Sequence, residues 1–332
     1  MIAYFMVCLP DRYDHHQRLL PYLMTFFNDE VKDIQRMALQ AIECCGEQYE
    51  TEHPEDILEK RQFGVDGDTR CIQRSQLPHP FQERPNLGTR LFVRSNSKRF
   101  LTGLLSELCC WISQTRQKSS QLLMIVIVFC EEHLTMELPQ TLLLLIKGLI
   151  LAFEECDLRS KDNLLENYTR IFELMGRFID PDIYMPLVLS RLGSTTDDDS
   201  ASFVADLNHS TKTRVAYAFA LKYLQQGSSW EGLSPHCTRV INVLTSQKCI
   251  GFYIGTTVKI QSIDTLLQIF ERIKNELESG QVSPKQKKAI AEALKGKKGA
   301  IKSMLIYEGT QEIVPQAKKC LIVMDRLLEM KS

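Results

Sequence analysis

LLPYLMTFFNDEVKDIQRMALQAIECCG, residues 19–46, reads as two short apolar helices joined by a polar turn. Leu19, Leu20, Leu23, Phe26 and Phe27 fall at helical spacing, and Pro21 is placed in the opening turn, where a backbone amide lacks a partner anyway. Asn28 and Asp29 stop this helix and cap the next. The second helix carries Val31, Ile34, Met37, Ala38, Ala41, Ile42 and Cys45 on one stripe, and the small Ala38 and Ala41 let a neighbouring helix come close. Gly46 is the expected stop.

Used as a template, the second helix recurs along the chain. Ile34, Gln35, Ala38, Ala41 and Ile42 align with Thr115, Arg116, Ser119, Leu122 and Leu123, with Thr213, Arg214, Tyr217, Ala220 and Leu221, and with Val258, Lys259, Ser262, Thr265 and Leu266. Looser matches are Asn167, Tyr168, Ile171, Leu174 and Met175, then Ile313, Val314, Ala317, Cys320 and Leu321. The steps from Tyr168 to Arg214 to Lys259 are 46 and 45 residues, inside the roughly 40–47 residue period of HEAT and armadillo units. Partner helices are expected near 97–112, 139–154, 181–192, 233–246 and 284–306. Two helices per unit favour HEAT, so the expected fold is all-α: one α-solenoid superhelix of about six helix pairs over residues 1–332.

Two interruptions break the period. Residues 50–96 are polar and lack apolar periodicity, which predicts an inserted, partly disordered loop. Residues 193–210 form an acidic inter-helix loop with Asp197, Asp198 and Asp199, read as a solvated linker in preference to a cation site.

The composition, 44% hydrophobic with 16 Gly and 12 Pro in 332 residues, can build a large core and excludes a low-complexity chain. A net charge of −1 excludes bulk attraction to nucleic acid or membrane. The longest apolar runs, Leu122 to Cys130 and Leu142 to Ile146 (continuing past Lys147 to Phe153), fall short of the ~20 residues of a bilayer span. MIAYFMVCLP at the start has no basic leader or cleavage pattern and resembles the tail of a packed helix, so earlier units of the array are expected upstream.

No catalytic set emerges. The eleven cysteines are scattered over helix interiors with no CxxC pair, as in reduced proteins of the cytosol; adjacent Cys44–Cys45 and Cys109–Cys110 diverge by about 100° on a helix and make no metal clamp. His15 and His16 read as a solvated helix entry. GFYIGTT, residues 251–257, and GKKGA, residues 296–300, lack phosphate-loop spacing, and there is no GxSxG elbow. No cofactor, metal or small-molecule substrate is expected.

Candidate contacts are therefore charged surfaces. KQKKAIAEALKGKKGAIK, residues 285–302, holds seven lysines, among them Lys285, Lys287 and Lys288, and could meet acidic protein tails or a phosphate backbone. A solvated lysine face is the plainer reading. Arg116, Arg214 and Lys259 are equivalent in successive units, so they either form a basic ladder that reads an acidic partner or tie down carboxylates within the stack.

RPNLGTRLFVRSNSKRFLTGLLSELCCWISQTRQKSSQLL, residues 84–123, with LPDRYDHHQRLLPYLMTFFNDEVKDIQRMA before it and GEQYETEHPEDILEK after the first pair, closely resembles the C-terminal half of the dynein axonemal assembly factor five family, also called the HEAT repeat-containing protein two family. The resemblance covers residues 9 to about 150; beyond that it rests on repeat order and length. It implies a cytoplasmic, non-enzymatic scaffold or co-chaperone in dynein-arm preassembly for motile cilia, with axonemal dynein chains, other assembly factors or chaperones as partners. The alternative is a HEAT adaptor that binds nucleic acid or another acidic partner through residues 285–302.

Overall fold

The computed structural model describes residues 1–62, 77–155, 163–193, 203–307 and 313–329. Among them no residue is in a strand, and the chain divides into two compact units, Met1–Phe178 and Ile179–Ser332. The fold class is all-α, of the α-solenoid kind.

The first unit contains α1 (Ile2–Cys8), α2 (Arg12–Thr25), α3 (Lys32–Glu52), α4 (Pro54–Gln62), α5 (Leu87–Glu107), α6 (Ser113–Cys130), α7 (Leu138–Glu155) and α8 (Asn163–Phe178). A 3₁₀ turn, Phe26–Asn28, separates α2 from α3, and Asp29 Oδ1 accepts the Val31 N–H at 2.8 Å ahead of the new helix. The second unit contains α9 (Pro181–Gly193), α10 (Phe203–Gly227), α11 (Trp230–Leu233), α12 (Cys237–Leu244), α13 (Gln247–Ile250), α14 (Thr256–Glu278), α15 (Pro284–Lys295), α16 (Lys298–Tyr307) and α17 (Ile313–Glu329).

In the second unit the pairs stack in chain order. α10 packs on α14 and α14 on α17, while α9 packs on α12 and α12 on α15. A row of α10–α14 contacts fixes the register: Thr265 Oγ1 donates to Ala218 O at 3.1 Å, Gln268 Nε2 to Gln226 Oε1 at 2.7 Å, and Lys222 pairs with Asp264. Arg272 crosses the same seam to the carbonyls of Gln225 and Ser228. In the first unit α6 packs on α8 and α5 on α7, the same arrangement, but α3 packs chiefly along α5 and not along α6.

Template residues Ala38, Ser119, Ile171, Tyr217, Ser262 and Ala317 are all buried, as are Ala41, Leu122, Leu174, Ala220, Thr265 and Cys320. Small or apolar residues at these spacings form the stripe through which neighbouring helices meet, so the recurring pattern marks the core.

Several boundaries differ from the sequence expectations. α2 starts at Arg12, so Pro21 lies inside it; Pro186 likewise lies inside α9. α3 runs through Gly46 to Glu52, and Gly46 is buried against α5 in place of ending the helix. Val31 and Met37, expected on the buried stripe, are exposed. Where a loop was expected over 50–96, α4 occupies Pro54–Gln62 and α5 begins at Leu87; residues 63–76 lie outside the described residues. In the expected 193–210 loop, α10 already begins at Phe203, and Asp197, Asp198 and Asp199 lie outside the described residues. The span expected as one helix at 233–246 holds the end of α11, a 3₁₀ turn with Pro235, and α12, with α13 following it, and that expected at 284–306 is two helices, α15 and α16.

One stretch, Ser113–Glu154, is long and apolar enough by length and composition to cross a membrane. It comprises two helices: α6 ends at Cys130, and Glu131 turns the chain at φ 48° before a 3₁₀ segment leads into α7. From Ile125 to Cys130 every side chain is buried within the unit.

Candidate partner-binding surfaces

The three repeat-equivalent cations point inward. Arg116 is 1%, Lys259 3% and Arg214 7% exposed. Arg116 donates through Nη1 to the carbonyl of Cys110, Lys259 through Nζ to Phe252 O at 3.3 Å, and Arg214 through Nη1 to Lys248 O at 3.2 Å. Cys110 and Phe252 lie in the turns that lead directly into α6 and α14. A long cationic side chain reaching back from the first turn of a helix satisfies a carbonyl left over where the preceding helix ends. Burial pushes the Lys259 ammonium below its ordinary pKa. Of the two readings, an exposed ladder and ties within the stack, burial favours the second, with backbone carbonyls as partners: each cation lies three residues before a buried stripe residue, Ser119, Tyr217 or Ser262, and so on the same helix face.

The lysine segment is exposed. Ser283 caps α15 in a full capping box: its Oγ accepts from Gln286 N while Gln286 Oε1 accepts from Ser283 N, and Pro284 follows at the first helical position. Ile290, Ala291 and Leu294 bury one face, which turns Lys285 and Lys288 to solvent and leaves Lys287 half-buried. Lys298, on α16, pairs with Asp325 of α17.

The strongest electrostatic feature lies elsewhere. Glu131, fully buried, receives Nε and Nη2 of Arg84 at 2.7 and 2.8 Å, Nη1 of Arg90 at 2.8 Å and Nη2 of Arg94 at 3.2 Å. Arg94 also reaches Glu132 at 2.8 Å and Phe129 O at 3.3 Å, and Arg90 reaches Pro85 O at 3.1 Å. The cluster ties the segment before α5, the first half of α5 and the α6–α7 junction into one body. It is a structural rivet whose buried charges face each other, and Arg94 and Glu132 at its edge also line a surface groove. A pair of arginines four apart on an apolar helix, Arg90 and Arg94, is the sequence signal that points to it.

His16 is also inside: Nε2 meets Met6 O at 2.9 Å, the ring stands edge-on to Phe92 at 4.9 Å, and burial lowers its pKa. It is no solvated helix entry. Burial raises the thiol pKa of Cys45 to about 12 and of Cys130 and Cys249 to about 11, which leaves these sulfurs protonated and unreactive at neutral pH. Among the described residues no group of three or more metal-ligating side chains gathers.

Outward-facing apolar residues are what the sequence analysis did not single out. Trp111 is 85% exposed, Tyr253 81% and Phe252 68%. Each lies in a turn that a buried cation clamps.

Compared with known families, residues 76–293 match the model described as dynein axonemal assembly factor 5, HEAT-repeat domain. The chain belongs to the dynein axonemal assembly factor 5 family. Residues 1–60 match the description dynein axonemal assembly factor 5-like, TPR repeats. The opening stretch 19–46 therefore falls in the family's TPR segment and not in its HEAT domain, consistent with α3 packing along α5; both repeat types are stacked helix pairs. Proteins named dynein axonemal assembly factor 5 are similar to this chain: 31% identical over 197 residues in Homo sapiens (59% of the chain), 28% over 252 residues in Xenopus laevis (76%) and 28% over 195 residues in Mus musculus (58%). The chain spans 21%, 26% and 21% of their respective lengths, about a quarter or less of each. No solved structure matches it.

Proposed function

We propose that this chain is a non-enzymatic scaffold, or co-chaperone, that holds axonemal dynein chains or other assembly factors in the cytoplasm while dynein arms are put together for motile cilia. Membership of the dynein axonemal assembly factor 5 family carries this reading. Side-chain chemistry supports it: the buried charged groups of the Glu131 cluster are engaged in packing, and the outward-facing features include aromatic turns and lysines suited to gripping protein. Lys285, Lys287 and Lys288 on α15 provide a basic face for an acidic partner segment. The same lysines favour a protein over nucleic acid, since no aromatic residue is interleaved in 285–302 and no arginine forks are present there.

Affinity capture of the full chain from ciliated cells under mild lysis tests the scaffold reading. Recovery of axonemal dynein chains is expected, and consistent failure to recover any overturns it. For the basic face, K285E/K288E should weaken capture of an acidic partner, with an affinity that declines as salt rises. If a defined duplex oligonucleotide bound with a steep salt slope and lost binding in the same variant, the nucleic-acid adaptor would replace the scaffold.

A further inference from the structure

The turn between α5 and α6 presents, among the described residues, the most exposed aromatic side chain on a fixed base. Cys109 N–H donates to Ser106 O and Cys110 N–H to Glu107 O, each at 3.0 Å; Arg116 holds Cys110 O from within; and Arg116 N–H donates to Ile112 O at 3.2 Å. Trp111 and Ile112, 85% and 41% exposed, stand on this bonded turn. A large aromatic residue facing water from a rigid backbone is preorganised for binding, because little conformational freedom is left to lose.

The same turn joins two walls of a groove of about 650 Å³. Glu107 before the turn and Thr115 after it both line the groove, opposite the Phe26–Val31 turn of the first helix pair. Its apolar lining is Phe26, Val31 and Leu122, with Val31 half in water. Its charged lining is three carboxylates, Asp29, Glu30 and Glu107, against one lysine, Lys118. Two of the carboxylates are held in place: Asp29 accepts from Val31 N–H, and Glu107 accepts from Ser119 Oγ at 2.5 Å. Asn28 Nδ2 donates to Lys118 O at 2.9 Å and ties the Phe26–Val31 turn to α6.

We infer that this groove, whose lining residues Glu107 and Thr115 flank the turn that carries Trp111, is the docking site for an amphipathic helix of a partner protein whose polar face is basic. Trp111, Ile112 and Val31 receive the apolar stripe of that helix, and Asp29, Glu30 and Glu107 receive its lysines or arginines, the charge complementarity that sets orientation and excludes acidic helices. The inference rests on the scaffold reading for its partner class. Its test uses defined peptides, so its failure leaves the capture of dynein chains unaffected.

The chain has two tryptophans, and the other, Trp230, is only 7% exposed, so iodide-quenchable emission reports Trp111. The probe is a lysine–leucine amphipathic peptide of about 14 residues, roughly four turns, compared with its glutamate–leucine counterpart on the full chain. The lysine peptide should shift Trp111 emission to the blue and remove most iodide quenching; the glutamate peptide should do neither. Trp111→Ala and Glu30→Lys/Glu107→Lys should each weaken binding of the labelled lysine peptide by roughly tenfold or more, a loss of about 1.4 kcal/mol. Glu30→Lys is also made alone, since Glu107 holds Ser119 and its loss could disturb folding. An unchanged Trp111 spectrum, equal binding of both peptides, or full affinity in Glu30→Lys overturns the proposal.

Discussion

Gly46 of α3 and Gly88 of α5 meet backbone to backbone: a Cβ at Gly88 would stand 2.4 Å from Gly46 O, and one at Gly46 would stand 2.4 Å from Thr89 Cα. Because the obstructing atoms are backbone, no rotamer change relieves the clash. Gly46→Ala and Gly88→Ala each gain about 0.5–1 kcal/mol of helix propensity, yet overpacking costs about 1–3 kcal/mol or more, so both should destabilise the first unit. Gly103, further along α5, has no atom within 4 Å of its would-be Cβ, so Gly103→Ala should gain about 0.5–1 kcal/mol. Urea denaturation of the three variants checks the contrast, and a stabilised Gly46→Ala would refute the crossing.

Glu131 neutralises arginines that are themselves buried, Arg90 at 3% and Arg94 at 6% exposed. Glu131→Gln keeps the shape and removes the charge, so it should cost about 3–5 kcal/mol, the penalty for leaving a buried partner charge uncompensated. Glu132→Gln, at a carboxylate 23% exposed and bonded to Arg94 alone among the three arginines, should cost less, about 1 kcal/mol. Equal losses in chemical denaturation would mean that the cluster is screened by water.

The repeat was legible because helical burial is a local, periodic signal: Ala38, Ala41 and Ile42 announce their stripe, and Ser262, Thr265 and Leu266 repeat it with polar atoms that a hydropathy sum would have discounted. What was not legible depended on partners far away in sequence or on turns that form only in the fold. Glu131 is buried because Arg84, Arg90 and Arg94 lie 47, 41 and 37 residues before it. Arg116, Arg214 and Lys259 turn inward to carbonyls that only the folded turns bring within reach. Gly46 looked like a helix stop because glycine at a C-terminus and glycine at a helix crossing leave the same letter. Trp111 escaped attention since an aromatic residue next to an apolar run is usually core.

His16 predicts a pH dependence. Burial depresses its folded-state pKa below the ordinary histidine value of 6.5, against the opposing pull of Met6 O. As pH falls through 6.5 the unfolded chain binds a proton that the folded chain resists, so stability is full above that pH and is lost progressively below it. Thermal unfolding should show a midpoint that drops on acidification, and His16→Gln should flatten that drop while lowering the midpoint at pH 7.5. Identical pH profiles for the two proteins would show that His16 becomes charged without penalty in the fold.

Lys259 separates two roles that a buried cation can have. Its stem fills space within the second unit and its ammonium, depressed in pKa by burial, holds Phe252 O. Lys259→Met keeps the stem, removes the desolvation cost and gives up the bond, so the net change should stay within about 1.5 kcal/mol. Lys259→Ala also leaves a cavity and should cost about 2–5 kcal/mol. If the bond is what fixes the turn, both variants should speed amide hydrogen exchange at Ile254, whose N–H is bonded to Gly251 O at 3.1 Å, while denaturation separates them. A methionine variant as unstable as the alanine one would mean that the charge, and not the packing of the stem, holds α14 against its turn.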